Sequence, residues 1–591
     1  MSGPERSGGD DMSADGAVRY GSDVMVDVLA RLGIEHLAIN PGATLRGLHE
    51  SLVRAGKPEL LLTLHENVAV GMAHGYAKAT GRPMGVALHN LVGLQTGSMA
   101  LFNAFLDLVP MLVVGGSGPA DAARRRPWID WIHAARDQAA QVRAYTKWDD
   151  QPASLDAAVH SLARAHSITT AYPQAPVYVA LDAGLQEDQV AGEPRNALWS
   201  PATALARQST PTVADADLLP VAEALAAAER PLLLADTAGR SEAAYRALVA
   251  LAERLGAGVV DLGARHNFPN THWADRTQHH HADVADADVI LAVDVRDPYF
   301  ALGRTDVANR DFAWLPRPGA RVFVLSGAAL IERAPLDRAA AAWDRVEAVL
   351  TGDAAVALPR LAEIVAELPV PGAAARTAAL RATASGPAVF RERLSRAPGT
   401  FGPARLAVET FEAVRGGAWQ LAFGALYGNS RRAFDMDEFN CYLGISGGGG
   451  LGYGVPAALG AALAHRHDDT LVVDIQPDGD FLYTAQALWT AAHERLPLLV
   501  VMANNRTYNQ DRMHQTEIGH QRGRDTDVAA GIDITGPDVD FATLARSQGV
   551  EGIGPVTDAA ELPATLARAA RIVREERRPV LVDAVMNRDR S

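Results

Sequence analysis

The stretch that decides the reading of this chain opens with Asp478-Gly479-Asp480. A helix-like run follows over 483–495, then the apolar Leu498-Leu499-Val500-Val501-Met502, then Asn504-Asn505. An acidic residue beside glycine is a hard oxygen ligand, and an asparagine side-chain oxygen is another. A helix and a strand between them return the chain to the end of the sheet where it started, so both ligands share the C-terminal edge at which open α/β sheets bind ligands. Hard oxygen ligands at such an edge suit Mg²⁺ or Ca²⁺ holding a phosphate-bearing cofactor.

Working outward, the same strand–helix alternation covers most of the 591 residues, a length that predicts roughly three or four domains. Apolar runs at 37–39, 60–64, 84–88, 111–114 and 177–181 alternate with helical stretches and predict a parallel sheet covered on both faces. A second block carries strands at 231–235, 289–293 and 322–325, and a third at 471–473, 498–502 and 579–582. The expected fold class is therefore α/β, with three parallel-sheet domains. The boundaries read as a disordered tail over 1–16, a first domain over 17–190, a linker over 191–212, a central domain over 213–370, a partly helical linker over 371–403 and a last domain over 404–591.

Net charge is −15, which argues against nucleic acid or an anionic membrane as partner. No apolar run is long enough for a membrane span. The single cysteine, Cys441, excludes an intramolecular disulfide and a thiolate zinc site. With an N-terminus that lacks the features of a signal peptide, this predicts a cytoplasmic protein.

Three further constellations carry chemistry. Glu66 lies in Leu64-His65-Glu66-Asn67, between an apolar strand and a helical run, where the helix dipole favours a carboxylate. A glycine-rich loop, Gly447-Gly448-Gly449-Gly450-Leu451-Gly452, lets backbone approach a ligand closely. His89 follows the strand 84–88, and a histidine there is suited to moving protons near neutral pH.

In this order the motifs resemble thiamine diphosphate (ThDP) enzymes of the acetolactate synthase and benzoylformate decarboxylase superfamily. The resemblance implies pyrimidine-binding, central and diphosphate-binding domains. It implies that Asp478, the Asn505 side chain and the Thr507 carbonyl bind Mg²⁺, and that Gly450, Leu451, Gly479 and Asp480 belong to the cofactor site. Leu451 occupies the position whose bulk props the cofactor into its bent form. Glu66 takes the place of the glutamate that faces the aminopyrimidine N1′ and sets up deprotonation of the thiazolium carbon. Pro477 stands where the family has its first glycine and removes a backbone N–H from that position.

The reaction implied is that of a lyase or carboligase. A 2-oxo acid loses CO₂ to leave an enamine, which gives an aldehyde, or a 2-hydroxy ketone after attack on an acceptor carbonyl. His89 is the implied proton shuttle, as in benzoylformate decarboxylase. Ala43 replaces the serine that contacts the substrate carboxylate in that enzyme. Acetolactate synthase-type ligation is an alternative, although the Ser-Gly-Pro-Gly type loop is missing. C–C cleavage of a diketone or a 2-hydroxyacyl thioester and a catalytically silent ThDP-fold protein are the others. Family sites form between subunits, so a homodimer or homotetramer is implied.

Trp128 and Trp131, with His133, either line a substrate pocket or serve as packing anchors, the latter being favoured. His514 falls in a loop that covers the site in this family. His279, His280 and His281 read as a solvated loop. No Gly-x-Gly-x-x-Gly stretch in the central block supports a redox nucleotide.

Overall fold

A computed structural model describes residues 18–190, 209–306, 311–327, 345–395, 401–426, 428–525 and 527–587. The expected tail over 1–16 and most of the linker over 191–212 lie outside the described residues. Three sheets organise the rest, all with parallel strands. The chain groups into two compact units. One comprises residues 1–73 and 82–208, the other residues 74–81 and 209–591.

The first unit holds six strands, β1 (His36–Ile39), β2 (Glu59–Leu62), β3 (Met84–Leu88), β4 (Met111–Ser117), β5 (Trp148–Asp150) and β6 (Pro176–Asp182), in spatial order β2-β1-β3-β4-β6-β5. Every residue of β3, β4 and β6 is buried. Burial on both faces is why these strands read as unbroken apolar runs rather than alternating ones. Leu37, Ile39, Leu112, Val114, Val177 and Val179 share one core cluster with the helices Gly21–Arg31 and Leu155–Thr170. Each such side chain contributes roughly 1.5–3 kcal/mol on burial.

The second unit contains two sheets. The central sheet is built from β7 (Pro231–Ala235), β8 (Gly258–Asp261) and β9 (Val289–Val293), then, after a two-stranded hairpin of β10 (Gly303–Asp306) and β11 (Asp311–Trp314), from β12 (Arg321–Leu325) and β13 (Ala348–Leu350). Its order is β13-β12-β9-β7-β8. The last sheet comprises β14 (Trp419–Gly424), β15 (Leu471–Pro477), β16 (Leu498–Asn504), β17 (Glu551–Val556) and β18 (Val580–Val585), in order β14-β15-β16-β18-β17. The stretch before it is partly helical, with helices at Ala373–Thr383 and Pro387–Ser395.

Two local expectations are corrected here. The run 483–495 is not one helix: a short helix occupies Asp478–Phe481 and a second spans Ala487–His493. The histidines at 279–281 do not form a solvated loop either. They close a 3₁₀ turn and open the helix His280–Asp286, with a His280 ring nitrogen 2.7 Å from the Ala301 carbonyl.

Candidate active site

In the first unit, parallel strands bring their C-terminal ends to one edge. Asn40 and Thr44 follow β1, Glu66 follows β2, and His89 follows β3 directly. Strand order reverses between β1 and β3, the kind of crevice in which open α/β sheets hold ligands. Glu66 opens the helix Glu66–Thr80 and is only 8% exposed. Its carboxylate accepts hydrogen bonds from Asn40 Nδ2 at 2.9 Å and from Thr96 Oγ1 at 2.7 Å. Two neutral donors thus hold a buried carboxylate in place, one on each oxygen.

His89 stands beside this carboxylate and caps the helix Asn90–Leu106. Its Nδ1 lies 2.9 Å from Thr44 Oγ1, which also accepts the Asn90 N–H at 3.3 Å. A Cβ on Gly42 would sit 2.3 Å from the His89 ring, so only glycine leaves room for the imidazole. Burial lowers the His89 pKa, and His133 and Arg126 lower it further, against an upward pull from Glu66. His89 therefore stays neutral near pH 7.

In the second unit, the last sheet repeats the arrangement. Leu426 after β14, Asp478 after β15, Asn505 after β16 and Met586 after β18 all line one cavity of about 300 Å³. Leu451, from the glycine-rich loop, lines it too. Asp478 is 2% exposed, and its carboxylate accepts the Gly479 N–H at 2.8 Å and the Arg506 N–H. Burial nevertheless raises its pKa to about 6. Asn505 Oδ1 accepts the Thr507 N–H at 3.1 Å, and the Thr507 carbonyl accepts the Asn509 N–H at 2.9 Å, which leaves that carbonyl a second lone pair. Arg506 between them is left-handed, with φ 58°.

Asp480 has a different part. Its carboxylate accepts the Gly452 N–H at 2.8 Å and the Gly454 N–H at 3.5 Å, and it bonds the Gln476 amide. It therefore pins the glycine-rich loop that carries Leu451. Gly479 is packed under Tyr508, whose ring would lie 2.4 Å from an added Cβ. Pro477 fits the end of β15, with φ −70° and ψ 144°, an extended conformation that proline adopts without strain.

Three residues are placed otherwise than the sequence suggests. Trp128 and Trp131 are 68% and 79% exposed, so neither anchors a core. His514 lies on the helix Asn509–Gln521, not in a loop, with a ring nitrogen 3.0 Å from Gln510 Nε2. Ala43 is exposed at the start of a 3₁₀ turn, and its neighbour Thr44 is the residue that reaches His89. Asn40, Thr44 and Thr96 escape the sequence reading, because nothing in a lone polar residue marks the carboxylate or ring it will meet.

Two family models match the chain. The N-terminal thiamine pyrophosphate-binding domain of thiamine pyrophosphate enzymes covers residues 19–142, and the C-terminal one covers residues 423–584. A probable 2-ketoarginine decarboxylase of Pseudomonas aeruginosa is 30% identical over 543 residues, which span 89% of this chain and 87% of the relative. The chain belongs to the thiamine diphosphate-dependent enzymes. The benzoylformate decarboxylase of the same organism is 28% identical over 545 residues, 90% of this chain and 93% of that one. The fold is shared with a 4-hydroxybenzoylformate decarboxylase from Rhodococcus jostii RHA1, at a TM-score of 0.74 and 22% identity over 97% of this chain and 100% of that one. As a ThDP-dependent enzyme the chain is of the carbon–carbon lyase and transferase kind. Among the described residues no helix is long and apolar enough to cross a membrane.

Proposed function

We propose that this ThDP-dependent enzyme uses Mg²⁺ and acts on a 2-oxo acid, releasing CO₂ and yielding an aldehyde or a 2-hydroxy ketone. The observation that carries this reading is the buried Glu66 carboxylate held between Asn40 and Thr96, with His89 beside it. The decarboxylase names of the two relatives support the substrate class.

The residues fit the cofactor and its metal. Asp478, Asn505 and Thr507 offer oxygen ligands on one cavity, as Mg²⁺ requires. No lysine, arginine or histidine lines that cavity among the described residues. A diphosphate beside the Asp478 carboxylate therefore needs a cation between them. Leu451, Gly479 and Gly450 complete the cofactor contacts in this reading, and Asp480 acts through the loop it holds. When bound, ThDP supplies the nucleophilic carbon and the electron sink that cleavage next to a carbonyl requires.

Glu66 would hold the proton that the cofactor's aminopyrimidine needs, and Asn40 and Thr96 keep its oxygens in place. His89, neutral and fixed by Thr44, handles the proton at the reacting substrate carbon. Thr44, Ala43, Trp128 and Trp131 of the first unit and His514 of the second are the proposed substrate-side residues. The functional assembly is a homodimer or homotetramer of cytoplasmic protein. The proposed domains run over 17–190, 213–370 and 404–591, one around each sheet.

Proton NMR tests the reading. Enzyme with ThDP and Mg²⁺ is given pyruvate, branched 2-oxo acids, phenylpyruvate and benzoylformate, with and without an acceptor aldehyde. Formation of an aldehyde or hydroxy ketone from one of them is expected. Bound cofactor with no acid consumed overturns the proposal.

A further inference from the structure

The first unit contains a second imidazole that the reaction described above does not use. His133 follows the short helix Ile129–Ile132, and its ring meets that of His89 edge-on, with centroids 5.4 Å apart and planes at 78°. Its Nδ1 is buried and makes no hydrogen bond among the described residues. His133 is half-buried, while Trp131 and Ile132 before it are exposed. Both rings are half-buried; His133 follows exposed residues and His89 borders Glu66.

The surroundings of His89 are few. Thr44 bonds its Nδ1 from the turn after β1, Glu66 faces it from the helix after β2, and Arg126 and His133 face it from the segment after β4. Arg126 is itself paired with the buried Asp130 at 2.9 Å. Charge on the neighbouring ring disfavours charge on His89.

Decarboxylation fixes the demand for protons. A 2-oxo acid anion plus one proton gives an aldehyde plus CO₂, so each turnover draws one proton from solvent and delivers it to carbon. His89 is itself half-buried, with Gly42, Thr44 and Glu66 packed about it.

We propose that His133 is the proton partner of His89, passing to it the solvent proton that decarboxylation consumes. The inference rests on the decarboxylase reading above. An N–H bond breaks at the His133 imidazolium as one forms at His89. That bond then breaks as the C–H bond forms at the carbon that has lost CO₂, and both rings end neutral. Thr44 holds the His89 ring in one orientation throughout.

Full-length protein carrying ¹³C-labelled histidine, without cofactor, tests the pair by NMR titration. His89→Gln and His133→Gln assign the two signals by their disappearance, with His133→Asn as a second variant should the first not fold. The His89 midpoint is expected to rise by about 0.5 pH or more in His133→Gln. That is the effect of one charge about 5 Å away at a water-like dielectric. With a 2-oxo acid that the wild type consumes, His133→Gln is expected to lose at least about tenfold in kcat, consistent with a lost general acid. His133→Ala should then regain rate with added imidazole. An unmoved His89 midpoint overturns the pair, whatever the activity. A moved midpoint with unchanged kcat overturns the relay. Coupled titration in a wild type that consumes no 2-oxo acid overturns the decarboxylase reading on which the relay depends, while the pair itself stands.

Discussion

At the scale of single residues, the site depends on close packing as much as on chemistry. Glu66 and His89 are legible because each sits where an apolar run meets a helical one, and residue type suggests the role. What holds them is not legible. Asn40, Thr44 and Thr96 lie 26, 45 and 30 positions from their partners, and only the fold joins them. Gly42 shows the same dependence. Replacing it with alanine places a methyl group 2.3 Å from the His89 ring, and a side chain fixed by Thr44 has to move. We predict that Gly42→Ala lowers kcat by roughly ten- to a hundredfold, as misplacement by about 1 Å does. The protein remains folded and binds ThDP, because the diphosphate contacts proposed above lie on the last sheet. Steady-state kinetics beside a ThDP titration checks both parts.

At the scale of elements, the strands found from sequence and those missed divide by position. Central strands such as β3, β9 and β16 are buried on both faces, and their unbroken apolar runs reveal them. The strands not resolved from sequence, β5, β8, β13, β14 and β17 with the hairpin strands β10 and β11, all lie at sheet edges. An edge strand needs apolar side chains on fewer contacts and tolerates polar residues and glycine. Thus β5 is Trp-Asp-Asp, and β17 contains Gly552, Gly554 and Pro555. The edge strand β2 was found because it is rich in leucine. The run 483–495 misled for a related reason. Its helical composition is real, but the chain first completes the short helix Asp478–Phe481, which places Asp478 and Gly479 on the cavity and Asp480 under the glycine loop.

At the scale of the whole molecule, the three α/β blocks expected from sequence appear as three parallel sheets, and two of them share a compact unit. Within that unit, Asp261 at the end of β8 pairs with Arg431 at 3.0 Å, and His266 is buried nearby. His266 Nδ1 lies 4.0 Å from Asp261, yet burial prevails and brings its pKa down to about 4. An unfolded histidine titrates near 6.5. Between these values the unfolded chain takes up a proton that the folded one refuses, so stability is lost as pH falls from 6.5 towards 4. At pH 5 this single group costs about 2 kcal/mol. Denaturant unfolding of wild type and His266→Gln at pH 7 and pH 5 should show a smaller acid-induced loss in the variant by about that amount. Parallel losses would place the proton elsewhere.

The measurement that bears most directly on the account is exchange of the thiazolium C2 proton of bound ThDP for deuterium, followed by quenched-flow proton NMR in the presence of Mg²⁺. It requires no knowledge of the substrate. Glu66 is predicted to set the rate, so wild type exchanges fast and Glu66→Gln exchanges at least about a hundredfold more slowly with cofactor still bound. Equal rates in the two proteins, with ThDP bound to both, would contradict the role assigned to Glu66 and with it the enzyme proposed here.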